Sequence, residues 1–231
     1  MTDYVFPPPV AVSVPVVGGG SYAVGRIFCV GRNYAAHAAE MGNSVDGDAP
    51  FYFTKSATAL SQDGVTMTYP PGTADLHHEV ELVVALGAEL LRATREQARA
   101  AVWGYATGLD MTRRDLQAVA KEGRKPWDTA KDFMQSAIVG PLTRVDDAGD
   151  IAAARMTLTV NGETRQEGAI ADMIHPVEDI LMHLSTLYRL VPSDIVMTGT
   201  PAGVGAVVPG DVLAGRIDGL APVTTDIGPL E

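Results

Sequence analysis

The sequence predicts a β-rich α+β fold, and two features carry that expectation. With 24 glycines and 15 prolines in 231 residues, the chain has the makings of many turns between short strands. Its apolar residues fall mostly in runs of strand length bounded by Gly, Pro, Asn or Asp, and only a few segments carry helical spacing. Residues 1–24 read as an irregular lead-in that includes Gly18-Gly19-Gly20, and residues 25–231 as a single domain near the upper size of one hydrophobic core.

Gly25 to Val30 is a short apolar strand, after which Asn33 can cap a helix over Tyr34 to Met41. Gly42 to Pro50, rich in Gly and Asp, reads as a mobile loop. Phe51–Thr54 and Val65–Tyr69 read as strands, and the run from Leu76 to Leu86 is the longest strand expected. Thr94 and Gln97 have capping-box spacing ahead of an Ala-rich helix that runs toward Val102. Tyr105–Asp110 is a strand, and Thr112 can cap a helix from Arg113 to Glu122 that stops at Gly123. Met156–Val160 and Glu163–Gln166 flank Asn161-Gly162, the residues that a type I′ hairpin turn requires. From Pro176 to about Arg189, Val177, Ile180, Leu181, Leu184, Leu187 and Tyr188 make one apolar helical stripe. The turns Pro192-Ser193-Asp194 and Pro209-Gly210-Asp211 then each launch a strand.

Composition limits the function. Lys and Arg number 17 against 28 Asp and Glu, a net charge of −11 that disfavours a nucleic-acid or anionic-membrane surface. No segment reaches the ~18 uninterrupted apolar residues of a membrane span, and Met1 to Pro9 lacks the pattern of a signal peptide. The single cysteine, Cys29, allows no intramolecular disulfide and suits a cytoplasmic protein. A small anionic ligand is compatible with this balance, because a locally basic or metal-bearing pocket can hold it.

Glu79 and Glu81 project from the same side of the Leu76–Leu86 strand, with Cα atoms about 6.5–7 Å apart. A solvated sheet face tolerates such a pair; burial demands counter-charge, and Asp110, at the end of another strand, can complete a three-carboxylate site. Three oxygen ligands suit Mg²⁺ or Mn²⁺, with Ca²⁺ as a substitute. His77 and His78 face opposite ways, and structural or supporting roles suit them better than ligation. His37 and Glu40 lie one helical turn apart, the spacing of a carboxylate that orients a basic imidazole and also of a commonplace surface pair. Gly31 and Gly42 flank that helix, as in a lid. Arg114 and Gln117 share a face of the helix beginning after Asp110, whereas Lys121 reads as solvated. Lys131 has aromatic neighbours consistent with partial burial, and equally with a surface position. Thr198 to Gly205 reads either as an active-site loop or as a tight turn; it lacks the ending of a phosphate loop.

Taken in order, Phe28-Cys29-Val30-Gly31-Arg32-Asn33-Tyr34-Ala35-Ala36-His37, His77-His78-Glu79-Val80-Glu81-Leu82, Leu109-Asp110-Met111-Thr112-Arg113-Arg114-Asp115-Leu116-Gln117, Asn161-Gly162-Glu163-x-Arg165-Gln166 and Thr198-Gly199-Thr200-Pro201 resemble the fumarylacetoacetate hydrolase superfamily. The resemblance is strongest to its short bacterial acylpyruvate hydrolases, fumarylpyruvate hydrolases of aromatic-acid breakdown among them. It implies a mixed β-roll with a few short helices, a homodimer, and a Mg²⁺ or Mn²⁺ site on Glu79, Glu81 and Asp110. His37 with Glu40 would activate water. Lys131 would neutralise developing charge, and Arg114, Gln117 and Thr200 would hold the substrate, with Arg32 and Arg113 as partners for a second carboxylate. The reaction implied is hydrolysis of a C–C bond in a 2,4-diketo acid, first of all fumarylpyruvate to fumarate and pyruvate. Oxaloacetate decarboxylation, hydroxymuconate-type isomerisation or plain binding of a small acid are the alternatives on the same site. Ala36 stands where relatives often carry an acidic residue, Lys55-Ser56 replaces Lys-Pro, and the fourth carboxylate of larger members is missing.

Overall fold

The computed structural model describes residues 4–7, 10–40 and 49–231. Most of the Gly42–Pro50 segment, expected to be a mobile loop, therefore lies outside the described residues, as does Met41. Five α-helices are described: α1 (Ala35–Glu40), α2 (Arg95–Ala100), α3 (Arg114–Glu122), α4 (Asp128–Lys131) and α5 (Val177–Leu187). The rest is mainly strand, as the turn-rich composition predicts, and the strands form a mixed β-roll.

One eight-stranded sheet runs in the order Phe51–Lys55, Arg26–Gly31, Asp194–Met197, Val80–Leu86, Val102–Asp110, Ala137–Val139 and Leu60–Gln62, with Thr143–Arg144 also pairing on Val102–Asp110. A five-stranded sheet runs Glu163–Ala169, Arg155–Val160, Val212–Ile217, Val223–Leu230 and Thr66–Tyr69. Each contains antiparallel and parallel pairs. Between the sheets lies the main core, where Val80, Leu82 and Leu109 meet Met156, Leu158, Leu213 and Ile227. Residues of the opposite parity on the large sheet, Ile27, Cys29, Val83, Ala85 and Ala106, form a second cluster with Val14. Period-two alternation thus serves both faces of one sheet.

The lead-in is more regular than expected. Ser13–Pro15 and Ser21–Ala23 pair antiparallel across the glycine turn, because Val14 and Val24 have the second cluster to pack against. The long strand also differs: it breaks at Glu79 into Leu76–His78 and Val80–Leu86. Leu76–His78 joins Thr112–Arg113 and Gly205–Val207 in a separate three-stranded sheet. Two capping expectations are corrected. Asn33 spends its amide on Thr198 and on both backbone groups of His175, and Thr112 bonds the Asp110 carbonyl and Lys131, while α3 begins at Arg114 without a side-chain cap. In both cases tertiary partners outcompete a local cap. The Asn161-Gly162 hairpin, the Thr94–Gln97 capping box and the two Pro-x-Asp turns form as read.

Candidate active site

Three strand segments leave the large sheet and re-pair in the small one: at Glu79, at Met111 just past Asp110, and through Thr198–Val204. The site lies on this seam. Glu81 is opposite Gly108, so Asp110, two residues on, lies on the same face, and the Asp110 N–H donates to the Glu79 carbonyl. Glu79, Glu81 and Asp110 are buried, with one oxygen from each lying within 4.8 Å of the others.

Three cations answer these carboxylates. Lys131, expected to be partly buried at most, is only 2% exposed, and its Nζ donates to Glu79 Oε2 and Asp110 Oδ2 at 2.8 Å each and to Thr112 Oγ1 at 2.7 Å. Arg114 donates to Glu79 and to Gln117. Lys55 stands 2.8 Å from Asp110 Oδ1, an ion pair whose angle leaves that oxygen without a hydrogen bond. Burial raises the Glu79 pKa, but Lys131 and Arg114 outweigh it and hold the group below the usual carboxylate range. Glu81 goes the other way: burial, then Asp110 and Glu79, push it well up, against one bond from the Gly199 N–H at 2.8 Å. A buried hard-oxygen triad in which Glu81 has no cation paired to it fits a divalent cation.

Thr198–Gly205 proves to be the loop that organises the site. Gly199 holds Glu81 from a left-handed backbone at φ 95°. Gly203 N–H donates to both Glu40 oxygens, at 3.1 and 3.3 Å. Thr200 Oγ1 accepts from Gln166 Nε2 at 2.7 Å, which leaves its own hydroxyl proton free to donate. Gln166, fully buried, also bonds the Val80 N–H, His78 Nδ1 and the Pro201 carbonyl. His77 pairs with Asp75, so neither histidine joins the carboxylates. His37 lines the same chamber, its Nδ1 3.5 Å from Glu40 Oε2, longer than a close hydrogen bond. Burial lowers its pKa, which favours the neutral imidazole.

An inner chamber of about 30 Å³ is lined by His37, Glu79, Glu81, Arg114, Lys131 and Thr200, among others. It opens into a cleft of about 900 Å³. Arg32 lines both. Arg113 instead covers the Phe133 ring and bonds the Thr129 carbonyl, so it lines neither. Lys121 is not the solvated lysine expected; it lines both spaces, four residues after Gln117 and seven after Arg114 on one helical stripe. Sequence reading also missed the roles of Lys55 and Gln166, whose partners are distant in the chain. At the departure Lys55-Ser56, the Ser56 N–H and hydroxyl both bind Asp132, the C-cap of α4 next to Lys131; proline would lack the N–H.

A family model for the fumarylacetoacetate (FAA) hydrolase C-terminal domain matches residues 26–228. The chain belongs to the fumarylacetoacetate hydrolase family. Its relatives in that family include a fumarylpyruvate hydrolase of a Ralstonia species, 43% identical over 83% of this chain and 100% of the relative. An oxaloacetate tautomerase of Escherichia coli is 41% identical over 86% of this chain and 90% of its own. The crystal structure of the Pseudomonas aeruginosa fumarylpyruvate hydrolase with Mn²⁺ and pyruvate superimposes with a TM-score of 0.95 at 42% identity, covering 99% of this chain and 100% of that one. The mixed roll implied by the motifs is therefore the family's fold, and a fumarylacetoacetate hydrolase relative with a bound divalent metal agrees with the acidic triad found here.

Proposed function

We propose that this enzyme hydrolyses the C–C bond of a 2,4-diketo acid, with fumarylpyruvate as the first substrate to test. The observation that supports this reading is a buried imidazole, His37, lining one chamber with Glu79, Glu81, Arg114, Gln117, Lys131 and Thr200. A divalent cation on Glu79, Glu81 and Asp110, Mg²⁺ with Mn²⁺ or Ca²⁺ as substitutes, would polarise substrate oxygens as a Lewis acid.

The chain's own groups supply the rest. His37 takes a proton from water, and Glu40, held by the Gly203 N–H, orients the ring and steadies the imidazolium. The water oxygen bonds to the acyl carbon, and the C–C bond breaks with its electron pair moving into the enolate of pyruvate. The proton on His37 passes to the enolate carbon, and the acyl fragment leaves as a carboxylate. Arg114 and Gln117 fit the substrate carboxylate, while Lys131 and the free Thr200 proton face developing negative charge.

A second reading, keto–enol interconversion of oxaloacetate, is supported by the Escherichia coli relative. It asks His37 only to move a proton. The separating measurement follows the ultraviolet absorbance of fumarylpyruvate with Mg²⁺, before and after chelation, with acetylpyruvate and oxaloacetate in parallel. Chelator-sensitive loss giving equal fumarate and pyruvate is the expected result. No fumarate, with oxaloacetate interconverted, would overturn the hydrolase reading.

A further inference from the structure

The inner chamber and the outer cleft share Gly31, Arg32, Phe53, Lys121, Trp127 and Lys131 as lining, so these six residues mark the throat between them. Arg32 and Lys121 bring charge there from different elements, the turn after strand Arg26–Gly31 and helix α3. Neither forms an ion pair with a described residue. Arg32 is held at φ 60°, a backbone conformation unfavourable for arginine. Beside these cations lies an apolar wall of mutually inclined aromatic rings. The Trp127 ring packs 4.9 Å from Phe51 and 5.9 Å from Phe53, with the Lys121 ammonium 5.2 Å from the Trp127 centroid. Farther out, Arg124 and Lys125 line the cleft as well.

The geometry points to a second-carboxylate subsite at the throat, built by Arg32 and Lys121, that selects acylpyruvates whose flat, unsaturated acyl chain ends in a carboxylate. This rests on the hydrolase reading above and adds to it a preference within the substrate class. The reacting end of such a molecule is directed to the chamber of Glu79 and Lys131, its planar chain lies along Phe51, Phe53 and Trp127, and its far carboxylate meets the two cations. A chain of net charge −11 repels a dianion from a distance, so a preference for one needs local positive charge at the opening. Burial, with Arg114 and Arg32 nearby, lowers the Lys121 pKa to about 8, a crowding that an arriving carboxylate relieves.

The test is the ratio of kcat/KM for fumarylpyruvate to that for acetylpyruvate, which lacks the second carboxylate, in the Mn²⁺-loaded enzyme. Arg32→Met and Lys121→Met are each expected to lower that ratio about ten- to a hundredfold, the worth of a charged hydrogen bond, mainly through KM. Lys121→Arg should restore most of it. An unchanged ratio, or equal losses on both substrates, would overturn the subsite. A second measurement is independent of turnover: calorimetric binding of the two diketo acids to Mn²⁺-loaded His37→Ala enzyme, with and without Lys121→Met. If wild-type enzyme hydrolyses neither compound yet binds fumarylpyruvate more tightly, and Lys121→Met erases the difference, the subsite stands and the hydrolase reading falls. No binding preference in the Lys121-containing protein refutes the subsite.

Discussion

Three buried cations answer the carboxylate triad, Lys55, Lys131 and Arg114, and each lies within ion-pair distance of Glu79 or Asp110. Two further cations line the throat, Arg32 and Lys121, and neither forms an ion pair with a described residue. The first set is buried, so each charge must be answered inside the protein. The second set borders open water, which tolerates an unanswered cation and leaves it for a ligand. Changes to the chamber should therefore appear in folding and kcat, and changes to the throat in KM and substrate preference.

The comparison is tested most severely at Lys131. Lys131→Met leaves Glu79 and Asp110 facing each other without their ammonium. Breaking a buried pair in this way should cost about 3–5 kcal/mol in urea denaturation of the metal-free protein. Turnover should be lost, and Mn²⁺ should recover part of the stability by replacing the missing charge. A variant as stable as wild type without metal would show that the pairing does not hold the chamber together.

His37 comes next. His37→Ala should lower kcat about 10²- to 10⁴-fold, the range of general acid–base catalysis, while the Mn²⁺ affinity stays the same. The pH profile carries the sign. Burial lowers the His37 pKa below its ordinary 6.5, and a general base works only when neutral. Activity should thus be full above that lowered pKa and fade as pH falls through it. Glu40 raises the His37 pKa, so Glu40→Gln should move the acid limb still lower while reducing kcat. An acid limb at or above 6.5 would count against His37 as the base.

How far the chamber and throat could be read from sequence follows the same division. Glu79, Glu81 and Asp110 were legible because strand alternation and strand ends are local, and the Asn161-Gly162 hairpin because its turn chemistry is local. Lys55 and Gln166 were not, since their meaning comes from Asp110 and Thr200, on other strands. Nothing in the local pattern of Leu76–Leu86 shows where it passes from one sheet to another. Lys121 is legible in principle, because its spacing from Arg114 and Gln117 puts it on their stripe, although charge on several sides of the helix suggests a solvated one. The Asn33 and Thr112 caps failed because tertiary partners bind those side chains.

Two glycines sharpen the comparison at its smallest scale. Gly199 sits at φ 95°, and a Cβ there would lie 2.8 Å from the Asn33 Cβ and 3.2 Å from the Val30 carbonyl, neither of which can move aside. Gly199→Ala should cost roughly 1–3 kcal/mol and weaken the hold on Glu81, read as a lower melting temperature and weaker Mn²⁺ binding. At Gly31 the Cβ would meet the Phe51 ring at 2.6 Å, a closer clash, yet that ring edge belongs to a side chain 44% exposed and able to swing outward. Gly31→Ala also narrows the unfolded ensemble, a gain of about 0.4–1 kcal/mol that offsets the displaced ring. Its melting temperature should stay near that of wild type, while the KM for fumarylpyruvate shifts because the aromatic wall has moved. If Gly31→Ala unfolds as readily as Gly199→Ala, the throat is as rigidly packed as the chamber, and the division between them fails.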